Sequence, residues 1–236
     1  MFCLLNGRLL ALDAARIDPA GVAPALDQLL AALGRRDGVA RLQVTRGVAI
    51  QRGLLPEVAG PATVLLTLAP AVAWPADPAP RRAIIATVTR RNEWSPLSQV
   101  KALANYPDAL LALAEAQRRG ADEAIMLNTR GDLACASVAN LWLARSGTLL
   151  TPPLASGATA GVVRAALLAA APRLGLRAQE TPLTPDDLWA ADEALLTNSV
   201  RGVQALVAVD GRPIGAGAPG PLARRVLEWL STEHDS

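Results

Sequence analysis

Short apolar runs of two different periods alternate along most of this chain, each closed by glycine, proline or a charged pair. That interleaving limits the fold more than any single motif does. Residues 22–35, VAPALDQLLAALGR, carry apolar positions at helical spacing, as do ALLALAEAQRR behind Pro107, VVRAALLAAAPRLG behind Gly161 and GPLARRVLEWL near the end. Strand-like runs lie between them: VARLQVTRG from Val39, TVLLTLA from Thr63, AIIATVTR from Ala83, DEAIMLN, LACASVANLWLA, a short stretch around Leu176 to Thr181, DEALLTNS and GVQALVAV. NTRGD and VDGRP are tight turns that predict two hairpins, and Thr184 with Pro185 reads as an N-cap followed by a first helical residue. Strands and helices mix without regular βαβ repetition, so the class is α+β rather than a doubly wound sheet.

With 236 residues the chain has room for two domains. The expected division is a small α+β N-terminal domain over 1–90 and a larger C-terminal domain over 91–236. The polar stretch RRNEWSPLSQV joins them and leads directly to Lys101.

Scarce residues exclude more than abundant ones admit. The one histidine, His234, sits in the polar tail STEHDS, which removes Ser-His-Asp and Cys-His catalysis and any zinc site that needs histidine. Cys3 and Cys135 cannot build a metal cluster or a disulfide framework, so no metal is expected. Basic and acidic residues are interspersed at a net charge of +2, with seven aromatics in all, a poor basis for a nucleic-acid groove. Arg164, Arg173 and scattered prolines keep every apolar run below the ~18 residues of a membrane-spanning helix. No basic leader precedes the first apolar residues, so the expectation is a soluble cytoplasmic protein without nucleic-acid or membrane partners.

Of the 23 basic residues, 22 are arginine and Lys101 is the one lysine. Surface positions needing only a positive charge have drifted to arginine, which singles out the exception. Lysine alone offers a nitrogen that can deprotonate near neutral pH and attack a carbonyl. Lys101 is therefore a candidate Schiff-base residue, or else an ordinary solvated lysine left by chance. Downstream, GATAGVVR is a glycine-containing loop feeding a helix N-terminus, where unpaired amides favour a phosphate. It reads equally as a tight loop packed on a strand. Thr197, Asn198 and Ser199 in LTNSVRG could hold an anion too, or form a turn that satisfies its own backbone.

Taken in order, KALANYPDALLALAEAQRRGADEAIMLNTRGDLACASVANLWLARSGTLLTPPLASGATAGVVR followed by ADEALLTNSVRGV resembles the class IV aminotransferase family, from Trp94 to beyond Leu206. These are fold-type IV pyridoxal 5'-phosphate (PLP) enzymes, among them branched-chain aminotransferases, D-amino acid aminotransferases and aminodeoxychorismate lyase. The resemblance implies the two-domain, D-amino acid aminotransferase-like fold. It makes Lys101 the catalytic lysine that forms an imine with PLP and carries protons. It sets Tyr106, the one tyrosine, beside the cofactor's phenolic oxygen. Gly161, Val162 and Val163 match the backbone turn that cradles the phosphate, with Asn198 and Ser199 beside it, and Asn140 ends the family's hairpin block.

Two departures stand out. The family's hairpin carries a Glu that pairs with the pyridine nitrogen, and here that position is Cys135. A thiol with a normal pKa of ~8.5 is mostly neutral and bonds weakly, so the ring should be a poorer electron sink. By strand alternation Asp132 faces the other way and is no substitute. Second, after NGRLLALDAARIDPA the family continues with a Gly-Asp block, a Phe-Glu-Thr strand and a helix whose arginine binds the phosphate. This chain passes straight to the helix at Val22, so its N-terminal domain reads as shortened.

NSVRG looks like the lyase sequences, which implies release of pyruvate from 4-amino-4-deoxychorismate to leave 4-aminobenzoate for folate biosynthesis. Asn105 and Tyr106 look more like the branched-chain enzymes, so a transaminase acting on a small amino substrate is the alternative. A degenerate family member that binds PLP, or nothing, with weak or no catalysis, and an interaction module with an accidental lysine, are the remaining readings. The resemblance also implies a homodimer.

Overall fold

A computed structural model describes residues 21–35, 37–45, 63–70, 73–99, 101 and 105–234. The chain divides into two compact units, 1–73 and 74–236.

In the first unit, helix α1 (Val22–Ala32) precedes strands β1 (Val39–Val44) and β2 (Val64–Ala69). The two strands pair antiparallel, with Val39 opposite Ala69 and Val44 opposite Val64. Gly38 packs where a side chain could not fit, since an added Cβ would lie 2.7 Å from the carbonyl oxygen of Ala69.

The second unit is built on one mixed sheet. Its strands are β3 (Ala79–Ile85), β4 (Glu123–Leu127), β5 (Leu133–Ala136), β6 (Asn140–Arg145), β7 (Thr148–Thr151), β8 (Arg177–Glu180), β9 (Glu193–Asn198), β10 (Gly202–Val209) and the two-residue β11 (Arg212–Pro213). They lie in the order β5-β4-β3-β10-β9-β6-β7-β8, with β11 on β10. β3 runs parallel to both β4 and β10, which places it deep in this sheet. The division therefore falls at 73/74 rather than 90/91, because the run around Ala83 finds its hydrogen-bonding partners in later strands.

Four helices accompany the sheet: α2 (Tyr106–Arg118), α3 (Val162–Ala170), α4 (Pro185–Trp189) and α5 (Pro221–His234). Alternation along the strands sends successive side chains to opposite faces. Leu195 of β9 and Trp142 of β6 join a core with α3 and α5, whereas their neighbours Leu196, Leu141 and Leu143 join a second core with Leu188 of α4. A third cluster packs Ala112 and Ala116 of α2 on Ile84, Ala124 and Met126. Helix α4 opens with a capping box between Thr184 and Asp187 and has Pro185 in its first turn.

Two sequence expectations change in detail. LACASVANLWLA is not one returning strand but two, broken at 137–139: β5 pairs with β4, and β6 pairs with β9 and β7. Thr148–Thr151 is an additional strand whose parallel partner is β8, a pairing of distant segments that local pattern does not reveal.

Candidate active site

Lys101 follows a single 3-10 turn, Pro96–Gln99, whose carbonyls are tied down one after another. The Asn105 side-chain amide donates to the oxygen of Leu97, the Arg91 guanidinium to that of Ser98, and the Ala160 N–H to that of Gln99 at 3.3 Å. The Ser98 hydroxyl adds a 2.7 Å bond to the carbonyl of Asn92. The backbone at Lys101, exposed and two residues beyond Gln99, is thus held against the loop that leads into α3. Two residues span at most ~7 Å, so Lys101 stays close to that loop whatever its rotamer. Tyr106, at the start of α2, is 37% exposed, and Asn105 occupies the N-cap position of that helix without a side-chain capping bond.

The loop itself is fixed from below. Asn140, buried at the head of β6, donates from Nδ2 to the Thr159 carbonyl at 2.8 Å. Gly161 is the residue before α3, in extended backbone that any residue adopts. Glycine is required there for space: an added Cβ would lie 1.8 Å from the Asn140 Oδ1. No side chain caps α3, so its first amides, at half-buried Val162 and buried Val163, point outward without an intrahelical partner. Asn198 and Ser199 lie where β9 turns into β10. The Asn198 Oδ1 accepts from the amides of Val200 at 2.9 Å and Arg201 at 2.6 Å, and its Nδ2 donates to the Val138 carbonyl at 3.1 Å. Asn198 therefore shapes the turn with both ends of its amide, and Ser199 stands exposed at the tip.

Cys135 is 4% exposed in β5. Burial pushes its thiol up; the Arg91 charge and a hydrogen bond from the Thr159 backbone pull the other way without overcoming it, and Glu123 adds to the rise. The thiol is therefore neutral at pH 7. Asp132 does not stand in for a carboxylate, because it lies in the turn before β5 with Oδ2 at 3.4 Å from the Asn128 side-chain amide.

Arg91 is the residue that the sequence reading passed over. RRNEWSPLSQV reads as a polar inter-domain connection, yet Arg91 is 5% exposed. Its own amide donates to the Leu127 carbonyl at 2.8 Å, Nε to the Gly157 carbonyl at 3.0 Å, and Nη2 reaches the Thr159 hydroxyl at 3.4 Å. One side chain thus joins the Lys101 segment to the α3 loop. The adjacent arginine pair was the only available signal, and nothing in the local sequence tells which member turns inward.

Chemically, the second unit gathers an amine, a helix start with amides that no side chain caps, and a buried thiol beside a buried cation. Comparison with known proteins gives this arrangement a context. The family described as amino-transferase class IV matches residues 9–209. The branched-chain-amino-acid aminotransferase of Escherichia coli (strain K12) is 28% identical over 227 residues, covering 92% of this chain and 73% of that protein. A solved T.th. branched-chain amino acid aminotransferase, complexed with N-(5'-phosphopyridoxyl)-L-glutamate, superposes with a TM-score of 0.80 at 29% identity, covering 91% of this chain and 70% of that one. A candidate 4-amino-4-deoxychorismate lyase of Legionella pneumophila gives 0.79 at 25% identity, covering 89% and 75%.

Proposed function

The chain belongs to the class IV amino-transferase family, and on that premise we propose that it is a PLP enzyme in which Lys101 is the catalytic amine, most suited to 4-amino-4-deoxychorismate lyase chemistry. Family members use pyridoxal phosphate. The residues present fit the cofactor at two ends: the uncapped start of α3, where Gly161 lets Asn140 pack against the loop, suits a phosphate, and Lys101 supplies the amine. At the third end the thiol of Cys135 stands where the family resemblance sets a carboxylate. When bound, the cofactor supplies an aldehyde for condensation with an amine and a ring that draws electrons from the substrate carbon.

This chain's own residues supply the rest of the reaction. The amides of Val162 and Val163, with Ser199, would bind the phosphate, and Asn140 holds the loop that presents those amides. Lys101 would act as nucleophile and then move a proton on and off the substrate carbon through its Nζ. Tyr106 would orient the phenolic oxygen.

The carrying observation is the pinning of Leu97, Ser98 and Gln99, which presents the one lysine to the α3 loop. A neutral thiol at Cys135 favours the elimination over transamination, because loss of pyruvate ends in an aromatic ring and asks less electron withdrawal of the cofactor. A transaminase is the second reading, favoured by the similarity to the Escherichia coli branched-chain enzyme over 92% of this chain. A homodimer acting in the cytoplasm on a small amino substrate completes the proposal.

The test is the visible spectrum of the protein with added PLP, wild type beside Lys101→Ala, followed by lyase and transaminase assays on one preparation. A band present only with Lys101, together with pyruvate release, is the expected result. Absence of any Lys101-dependent band refutes the enzyme reading. Amino transfer without pyruvate release replaces the lyase by the transaminase.

A further inference from the structure

Arg91 stands between two segments that the candidate site needs in fixed relation. Its backbone is stapled to the end of β4: the Arg91 amide donates to the Leu127 carbonyl at 2.8 Å, and Arg91 bridges Asn128 in parallel register. From that anchor the buried guanidinium forks. Nε donates to the Gly157 carbonyl at 3.0 Å, while Nη2 donates to the Ser98 carbonyl and lies 3.4 Å from the Thr159 hydroxyl. Ser98 belongs to the turn that leads to Lys101, whereas Gly157 and Thr159 belong to the loop that leads to α3. Gly157 has φ 85°, and a Cβ there would lie 3.2 Å from the Arg91 Cβ and 3.5 Å from the Glu93 Cα, so glycine lets the loop close on the 91–93 backbone. Backbone joins the same two segments through the longer 3.3 Å bond from the Ala160 amide to the Gln99 carbonyl. Two carbonyls received by one planar, charged fork on a fixed stem leave little freedom to either segment.

We propose that Arg91 is a positioning residue that sets the spacing between Lys101 and the first amides of α3, so that both ends of one cofactor are met at once. The proposal rests on the proposed function of this site, with Lys101 serving the aldehyde and the α3 start the phosphate. A ligand held at two places gains affinity from the second contact in proportion to how rigidly the two places are related. Arg91 acts through the carbonyls of Ser98 and Gly157, not by contact with the ligand. A lysine at position 91 would keep the positive charge but offer one nitrogen in place of a fork, and one nitrogen cannot stand where Nε and Nη2 both stand. Arg91→Lys therefore separates positioning from simple attraction of an anion.

The experiment titrates the full chain, wild type beside Arg91→Lys, with three probes: PLP, pyridoxal, which has the aldehyde without the phosphate, and inorganic phosphate. The two aldehydes condense with the Lys101 amine, releasing water, and are read by a visible band that Lys101→Ala lacks. Phosphate is read by its displacement of PLP. Arg91→Lys should leave the dissociation constants of pyridoxal and phosphate within about twofold of wild type and weaken PLP by about tenfold or more. Unchanged PLP binding overturns the proposal. So does a loss of pyridoxal or phosphate affinity that matches the loss for PLP, since Arg91 would then support one end, or the fold at large, and not the spacing. If Arg91→Lys does not fold, wild type decides. The product of its pyridoxal and phosphate constants divided by its PLP constant is the effective concentration of one end at the other. A clamped pair gives a value well above the ~1 mM of a flexible tether, and a value at or below it overturns the proposal. Absence of any Lys101-dependent band in wild type refutes the PLP reading instead, and the proposal falls with it.

Discussion

Replacing Gly161 by alanine tests why the loop before α3 takes the form it does. The backbone at Gly161, φ −75° and ψ 142°, suits any residue. On conformational entropy alone the substitution would therefore stabilise the protein by about 0.4–1 kcal/mol. The surroundings reverse the sign. The new methyl would lie 1.8 Å from Oδ1 of Asn140 and 3.0 Å from its Cγ. Overpacking of this kind costs about 1–3 kcal/mol. Displacing the buried amide also breaks its 2.8 Å bond to the Thr159 carbonyl, adding about 1–2 kcal/mol. The expected net loss is about 2–4 kcal/mol, read by urea unfolding. The Asn140→Ala background removes the obstacle while the Thr159 carbonyl keeps its 2.8 Å bond from the Gly161 amide. There the same alanine should cost less than about 1 kcal/mol, a coupling of the size found for residues in contact. Equal costs in both backgrounds would refute the steric account of Gly161.

Glu115 gives a stability prediction with a pH signature. Burial would raise its carboxyl, but hydrogen bonds from the Thr87 hydroxyl and amide and the Val88 amide, with the Arg119 charge, outweigh that and hold it below the ordinary value of 4.5. Because the folded value is depressed, the stabilisation is complete above the unfolded value and is lost as the pH falls through the folded one. Glu115→Ala should lower stability by about 2–3 kcal/mol at neutral pH and flatten the acid limb of the unfolding curve; an unchanged limb would count against this role. In a Cys3→Ser background, native Cys135 should resist thiol reagents and react fully in denaturant, since a buried neutral thiol is a poor nucleophile. Rapid labelling of the native protein would contradict the burial of Cys135 in β5.

Much of the candidate site was legible because its signals are local. Lys101 stands out by count, Gly161 by its place at the head of an apolar helical run, and Asn198 by its turn-forming neighbours. The exchange of a carboxylate for Cys135 is visible as soon as the blocks are set in family order. Arg91 was not legible, since both members of an adjacent arginine pair look alike until one is drawn inward by carbonyls at Ser98 and Gly157.

The sequence by itself determined the α+β class, most strand and helix positions, and the identity of the one amine, because hydrophobic period, capping residues and counts are properties of short windows. Tertiary structure decided that Ala79–Ile85 joins the large sheet, that the 133–144 run splits between partners, and that Thr148–Thr151 pairs with Arg177–Glu180. It also decided that Arg91 turns inward, onto the carbonyls of Ser98 and Gly157. Each of these is a pairing between segments far apart in the chain. Such pairings are fixed by burial and hydrogen-bond completion across the whole sheet, and no local pattern encodes them.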